Sequence, residues 1–480
     1  MAGKNLLEKE VNFLEKAPTG IQGLDEITLG GLPRGRATLV CGGPGCGKTL
    51  LGMEFLVHGA LKFGEPGVFM CFEETAHELI TNLAALGFNL KELSESQRLV
   101  IDHVYVEKTE IEETGEYDLE GLFIRLEQAI NSIGAKRVVL DTIESLFAGL
   151  FNESILRAEL RRLFRWLKNK GMTAVITGER GRDGLTRHGL EEYVSDCVVF
   201  LDQRILNQIA TRRLHILKYR GSVHGMNEYP FIITDKGIEV FPITSLSLQY
   251  PIFEERITSG IDKLDTMLDG KGYYRGSTIL ISGTAGTGKT SIACKFVDAA
   301  CNRGERCLYF AFEEPEQQIL RNMHSIGTDL IPWVEKGLLI FYNERPTSYG
   351  LEFHLISLYR HIQESDPKVV VIDPISNFRS VGTSLDIKIM LTRIIDHLKS
   401  RGITTILVSL AEFGKSPQGT EEDISSLADS WMVLQDLEIN RERTRRLYVL
   451  KSRGMAHTNK IHEFKFSDKG IDILDFQEEQ

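Results

Sequence analysis

At 480 residues the chain is too long for one ordinary domain and implies about two domains of 200 to 250 residues each. Hydrophobic residues make up 42% and charged ones 26%, an ordinary globular composition, and the formal net charge of −11 argues against a protein that coats nucleic acid non-specifically. No stretch approaches the ~20 apolar residues of a membrane span.

Read in chain order, the opening MAGKNLLEKEVNFLEK is charged and lacks the apolar core of a secretory signal. PTGIQGLDEI follows at 18, then ATLVCG (37–42), a predicted strand running into the glycine-rich GGPGCGKT. GVFMCF, RVVLD and TAVIT are further apolar β-rich runs, separated by the amphipathic segments LEGLFIRLEQAINSI and ILRAELRRLFRWLKN. This alternation predicts an α/β fold with a mainly parallel sheet flanked by helices. VVFLDQRI, RRLHILKYRG and FIITDKG come late and close together, with no helix between them, and predict added antiparallel strands at one end of the sheet.

From 258 the phrases begin again. TSGIDKLDTM answers PTGIQGLDEI, SGTAGTGKT answers CGGPGCGKT, and AFEEP answers CFEET. VVVIDPISNF, LKSRGMAH and FKFSDKGIDIL answer RVVLDTIESL, LKYRGSVH and FIITDKGIEVF. Order and spacing persist throughout, so one domain is written twice, over 1–243 and 257–480, with a linker at 244–256.

Both copies carry GxxxxGK[ST], in Gly42–Thr49 and Gly283–Thr290. The glycines let backbone N–H groups face phosphate oxygens at a helix start, the lysine neutralises β and γ phosphates, and the threonine hydroxyl ligates Mg²⁺. ATP and Mg²⁺ are therefore the expected ligands. Asp141 and Asp373 end apolar strands and are the expected metal-holding aspartates with Thr49 and Thr290; a plain strand cap is the bland alternative. Glu73-Glu74 and Glu313-Glu314 end the next strand, where a carboxylate can take a proton from the attacking oxygen. Neighbouring strand residues point oppositely, which favours Glu73 and Glu313 over Glu74 and Glu314, against the reading of solvated strand-end acids. Lys218-x-Arg220 and Lys451-x-Arg453 read either as exposed edge cations or as a pair reaching the γ-phosphate of a neighbouring subunit. The seven cysteines are scattered and form no CxxC pair, so a reduced, cytoplasmic chain is expected.

With the doubled P-loop, the doubled FEE, the doubled Lys-x-Arg-Gly and phrases such as RHGLEEYVSD and EYPFIITDKGIEVFP, the chain resembles the KaiC circadian clock protein kinases of the RecA-type ATPase superfamily. The resemblance spans nearly the whole chain. It implies two stacked homohexameric rings of RecA-like domains, with ATP at each subunit interface. The first-ring site would comprise Gly45, Cys46, Gly47, Lys48 and Thr49, the base Glu73, and Lys218, Tyr219, Arg220 and His224 from the interface. The second would comprise Gly286, Thr287, Gly288, Lys289 and Thr290, the base Glu313, and Arg445, Lys451, Ser452 and Arg453.

The resemblance further implies slow ATP hydrolysis in the first ring. In the second it implies reversible transfer of the γ-phosphate to two hydroxyls of the adjacent subunit, here Ser425 and Ser426, behind Glu421, Glu422 and Asp423. The usual family pair is serine then threonine; serine keeps the nucleophile and loses the methyl that restricts its rotamers, which leaves the order of the two sites open. Thr420 matches a further family threonine. The family's C-terminal loop and tail, which bind KaiA, extend past DILDFQEEQ, so the expectation is a chain acting alone or with a KaiB-like protein, without KaiA. The other functional classes are a DNA-dependent recombinase or helicase relative, against which the acidic charge weighs, and a non-catalytic scaffold, against which the intact glutamates and aspartates weigh.

Overall fold

The computed structural model describes residues 14–104, 119–146, 153–181, 184–186, 195–206, 209–242, 251–411, 424–439, 442–468 and 470–474. The chain divides into two compact units, Met1–Pro242 and Ile243–Gln480. Most of the linker expected at 244–256 falls outside the described residues.

Among the described residues the main sheet of the first unit has nine strands: β1 (Ala37–Gly42), β2 (Gly67–Cys71), β3 (Leu99–His103), β4 (Arg137–Asp141), β5 (Thr173–Glu179), β6 (Cys197–Leu206), β7 (Ile209–Tyr219), β8 (Glu228–Thr234) and β9 (Gly237–Val240). They form one sheet in the order β9-β8-β7-β6-β1-β5-β4-β2-β3. From β6 to β3 all neighbours are parallel. β7, β8 and β9 extend the sheet antiparallel, as the closely spaced late runs imply.

Helices α1 (Lys48–Lys62), α2 (Ala76–Ala84), α3 (Glu120–Ile133) and α4 (Glu153–Asn169) connect the parallel strands. Alternation within the strands sends successive side chains to opposite faces. Phe69, Val139 and Val175 pack with Leu51 and Phe55 of α1, while Val68, Val138 and Ile176 pack with Leu126 of α3 and Leu160 and Leu163 of α4. A sheet covered on both sides reads as continuous apolar runs, which is why ATLVCG and RVVLD show no polar alternation.

The second unit repeats this with β10 (Thr278–Gly283), β11 (Cys307–Ala311), β12 (Leu339–Asn343), β13 (Val369–Asp373), β14 (Thr404–Leu410), β15 (Ser430–Ile439), β16 (Glu442–Ser452), β17 (His462–Ser467) and β18 (Gly470–Leu474). The order β12-β11-β13-β14-β10-β15-β16-β17-β18 is the first unit's topology again. α5 (Lys289–Asn302), α6 (Glu316–His324), α7 (Leu351–Ser365) and α8 (Ser384–Ser400) are its principal helices. The echo of PTGIQGLDEI in TSGIDKLDTM has a local cause: Asp25 accepts from Thr19 N at 2.8 Å, and Asp265 accepts from Ser259 N at 2.8 Å, closing the same turn in both units. Among the described residues no helix is long and apolar enough to cross a membrane.

Candidate functional site

In each unit the central strand, β1 or β10, runs straight into the glycine-rich loop, and the loop ends where α1 or α5 begins. Gly47 and Gly288 precede those helices at φ 100° and 98°, in the left-handed region. A Cβ at Gly288 would lie 2.4 Å from Phe466 Cζ, and one at Gly47 would lie 3.1 Å from Ile233 Cδ1. Glycine is therefore needed at both for backbone angle, and at Gly288 for space as well. The loop N–H groups at a helix start make an anion cradle.

Lys48 donates to the carbonyls of Gly42 (3.1 Å) and Gly43 (3.0 Å), and Lys289 donates to Thr284 O (2.8 Å). Both lysines are buried, and burial pulls the Lys289 ammonium below its ordinary pKa while Asp373 and Glu313 oppose that shift. Cys46 and Thr287 occupy matching loop positions with fully buried side chains, so they support the cradle from beneath. Burial also pushes the Cys46 thiol up, away from thiolate chemistry. In the second unit a cleft of about 550 Å³ opens beside the loop, lined among others by Thr284, Ala285, Asn377, Arg379 and Asp436.

Asp141 and Asp373 end β4 and β13 beside these loops. Thr49 Oγ1 donates to Asp141 Oδ2 at 2.9 Å, and Thr290 Oγ1 donates to Asp373 Oδ2 at 2.8 Å. A second hydroxyl reaches each carboxylate, from a different strand in each unit. Thr177 of β5 donates to Asp141, whereas Tyr309 of β11 donates to Asp373 Oδ2 at 2.5 Å. Val408 and Phe69 stand at the vacant counterpart positions. Burial raises the pKa of both aspartates, and the hydroxyl donors work against it. The peptide bond after each aspartate, Asp141–Thr142 and Asp373–Pro374, is cis. Sequence reasoning missed Thr177 and Tyr309; a hydroxyl inside an otherwise apolar strand is the signal that marks them.

The glutamate pairs lie just past the ends of β2 and β11 rather than within them. Glu74 accepts from Asn82 at 3.5 Å and Glu314 from Asn322 at 3.2 Å, which turns them toward α2 and α6. Glu73 instead points toward the residues after β4, where its Oε1 accepts from Thr142 Oγ1 at 2.9 Å and Ser145 Oγ at 2.6 Å.

The Lys-x-Arg pairs lie elsewhere in each unit. Lys218 and Lys451 close β7 and β16 opposite the first residues of β6 and β15 (Val198↔Lys218, Trp431↔Lys451). Arg220 and Arg453 follow in the turn, their N–H groups donating to Asp196 O and Asp429 O at 2.8 Å each. Because β6 and β15 run parallel to β1 and β10, these cations sit level with the start of the central strand. The glycine-rich loop sits at its end, four residues on from Ile279, the partner of Ser430, to Gly283. At ~3.3 Å per residue that is roughly 13 Å along the strand, before the loop and the turn add to it.

Among the second-unit cations, Lys451 Nζ donates to Ser425 O at 2.7 Å and Arg453 donates to Ser426 O at 3.0 Å. Both serines lie in the turn at 425–427, with Ser426 exposed. Burial lowers the Lys451 pKa, and the neighbouring Arg453 adds to that.

Tyr219 is buried, its hydroxyl donating to Gly31 O at 2.8 Å, and Ser452 Oγ pairs with Ser430 Oγ at 2.9 Å. His224 Nδ1 lies 3.0 Å from Gly225 O. Arg445 lies 3.8 Å from Asp436 and over the Phe466 ring. Thr420, Glu421, Glu422 and Asp423 lie outside the described residues.

The family model described as "ATPase: KaiC" matches twice, over residues 17–245 and 257–478. The chain is 57% identical over 464 residues to the circadian clock protein KaiC2 of Synechocystis, covering 96% of this chain and 82% of that one. It is 38% identical to the circadian clock oscillator protein KaiC of Parathermosynechococcus lividus (97% and 86% covered) and 38% identical to that of Synechococcus elongatus (97% and 90%). Two P-loop units of one topology, matched along nearly their full length, establish that the chain belongs to the KaiC family of tandem RecA-like ATPases.

Proposed function

We propose that the protein is an ATP-dependent serine autokinase and autophosphatase with slow ATPase activity, assembled as a homohexameric double ring. In that form it serves as a timing or signalling switch. The observation that carries this reading is the separation within each unit: the glycine-rich loop follows the end of the central strand, whereas the Lys-x-Arg pair, at the close of antiparallel β7 or β16, lies level with that strand's start. One copy's cations therefore serve a nucleotide held by another copy. In the second unit the cations are tied to the carbonyls of Ser425 and Ser426, so transition-state charge and acceptor hydroxyls arrive together. The relatives' names as circadian clock proteins support the timing role.

ATP is the substrate, held by Lys48 and the Gly45–Gly47 backbone in one unit and by Lys289 and the Gly286–Gly288 backbone in the other. Thr49 with Asp141, and Thr290 with Asp373, fit Mg²⁺, which supplies Lewis acidity at the phosphoryl oxygens when bound. In the first unit Glu73 takes a proton from water as water displaces ADP from the γ-phosphorus. In the second, the Ser425 or Ser426 oxygen of a neighbouring copy bonds to the γ-phosphorus. The bond from that phosphorus to the β,γ-bridging oxygen breaks, and the serine proton passes to Glu313. Lys451 and Arg453 stabilise the charge on the transferring group.

Incubation with Mg²⁺-ATP followed by phosphosite mass spectrometry tests the reading. Wild type is expected to carry phosphate on Ser425 and Ser426, Lys289→Ala none, and Glu313→Gln much less. Unmodified serines in wild type would sink it.

A further inference from the structure

Glu73 and Glu313 sit at the same point of their two units, yet their surroundings differ. In both, the strand leading to the glutamate pairs along its length with the aspartate strand, and one more backbone bond follows just past its end, Phe72 N to Asp141 O (2.9 Å) and Phe312 N to Asp373 O (2.8 Å). That tie sets the residues after the aspartate beside the glutamate. In the first unit they are Thr142 and, in the helical turn Ile143–Leu146, Ser145. Both hydroxyls donate to one oxygen, Glu73 Oε1, at 2.9 and 2.6 Å. In the second unit Pro374 replaces Thr142 and has no hydroxyl. Asn377 replaces Ser145, and its amide turns away to donate to Phe312 O at 3.2 Å. Among the described residues Glu313 accepts no hydrogen bond.

We propose that Ser145, with Thr142, is a positioning residue that pins Glu73 for water activation and so makes the first unit the hydrolase. Two donors saturate Oε1 and stop the carboxylate rotating, leaving Oε2 to face the nucleophile. A charged acceptor binds hydroxyls strongly, so the clamp holds. Water arrives with no tether of its own and needs a base already in place. A serine hydroxyl arrives on a turn that Lys451 and Arg453 already fix, so Glu313 works without a clamp. The inference rests on Glu73 being the first-unit base.

The test is steady-state ATP hydrolysis by the full-length protein in a Glu313→Gln background, which silences the second unit's base. Ser145→Ala is expected to lower kcat about tenfold, the scale of one lost hydroxyl donor on a charged group, with KM for ATP within twofold. Ser145→Thr, which restores the hydroxyl, is expected to recover kcat to within threefold of wild type. A kcat unchanged in Ser145→Ala, or an equal loss in Ser145→Thr, overturns the inference. Glu73→Gln is the separate arm: if it still hydrolyses ATP at the wild-type rate, the base assignment itself has failed. If Glu73→Gln is inactive and Ser145→Ala is normal, only the clamp has failed.

Discussion

Tyr309 donates its hydroxyl to Asp373 at 2.5 Å, and at the same place in the first unit stands Phe69, with Thr177 supplying the hydroxyl to Asp141 from the opposite neighbouring strand. The need is identical in both units. At the proposed cation sites a buried aspartate would have to stay charged, and burial alone drives it toward the neutral acid.

Tyr309→Phe should therefore impair the second unit alone. A hydrogen bond to a charged group contributes about 1.5 to 3 kcal/mol, so roughly ten- to a hundredfold more Mg²⁺ should be needed for half-maximal phosphorylation of Ser425 and Ser426. Thr177→Val should raise the Mg²⁺ requirement of first-unit hydrolysis and leave phosphorylation untouched. A Mg²⁺ titration of each variant decides the matter; equal effects of either change on both activities would refute the assignment.

The trans arrangement can be tested by mixing. Chains carrying Lys289→Ala lack the second cradle's lysine but keep their serines. Chains carrying Ser425→Ala with Ser426→Ala keep the cradle but lack acceptors. Neither alone should incorporate phosphate. Reassembled together they should place it on the Lys289→Ala chain only, as read by tagged-chain mass spectrometry. No incorporation in the mixture would mean that transfer is within one chain.

Gly288→Ala should abolish second-unit nucleotide binding. The left-handed φ costs an alanine about 1 to 2 kcal/mol, and its Cβ would meet Phe466 at 2.4 Å. Binding of a fluorescent ATP analogue should fall to the single class contributed by the first unit. Two classes of unchanged affinity would contradict the steric argument.

Glu54 gives a pH prediction. It lies buried on α1, accepting from Ile238 N at 2.7 Å, and burial raises its pKa from 4.5 to about 8, the nearby Glu239 adding to the rise and Lys62 opposing it. A raised folded-state pKa means the folded chain binds the proton more tightly than the unfolded chain. Stability from this group is thus complete below about pH 4.5 and is lost as pH rises through about 8. Glutamine keeps the carbonyl acceptor and cannot ionise. Glu54→Gln should raise Tm by about 5 °C or more at pH 9 and change it little at pH 5. The opposite pattern in thermal melts would reverse the sign of the argument.

The cradles, the two aspartates and the glutamate pairs were legible because each is a contiguous string whose residue types have chemical duties. The parallel core and its antiparallel extension were legible from helices present between early strands and absent between late ones. Thr177, Tyr309, Thr142 and Ser145 were not, because their role exists only once β5, β4 and β2 in the first unit, and β11 and β13 in the second, lie side by side. That order is fixed by packing and cannot be read along the chain. The inward turn of Tyr219 was hidden for a related reason: its hydroxyl finds Gly31, 188 residues away in sequence. Lys451 and Arg453 were visible as cations, but their grip on the serine carbonyls was not, since it joins segments about 26 residues apart through a turn.

The distance between cradle and cations has a consequence for how the proposed activities respond to the amount of protein. On the proposed assembly, a solitary chain would own no complete active centre, only two halves of different ones. By mass action, dilution would then extinguish turnover, and specific activity would climb with protein concentration until assembly saturates. Abundance would act on such a protein as a control input in its own right.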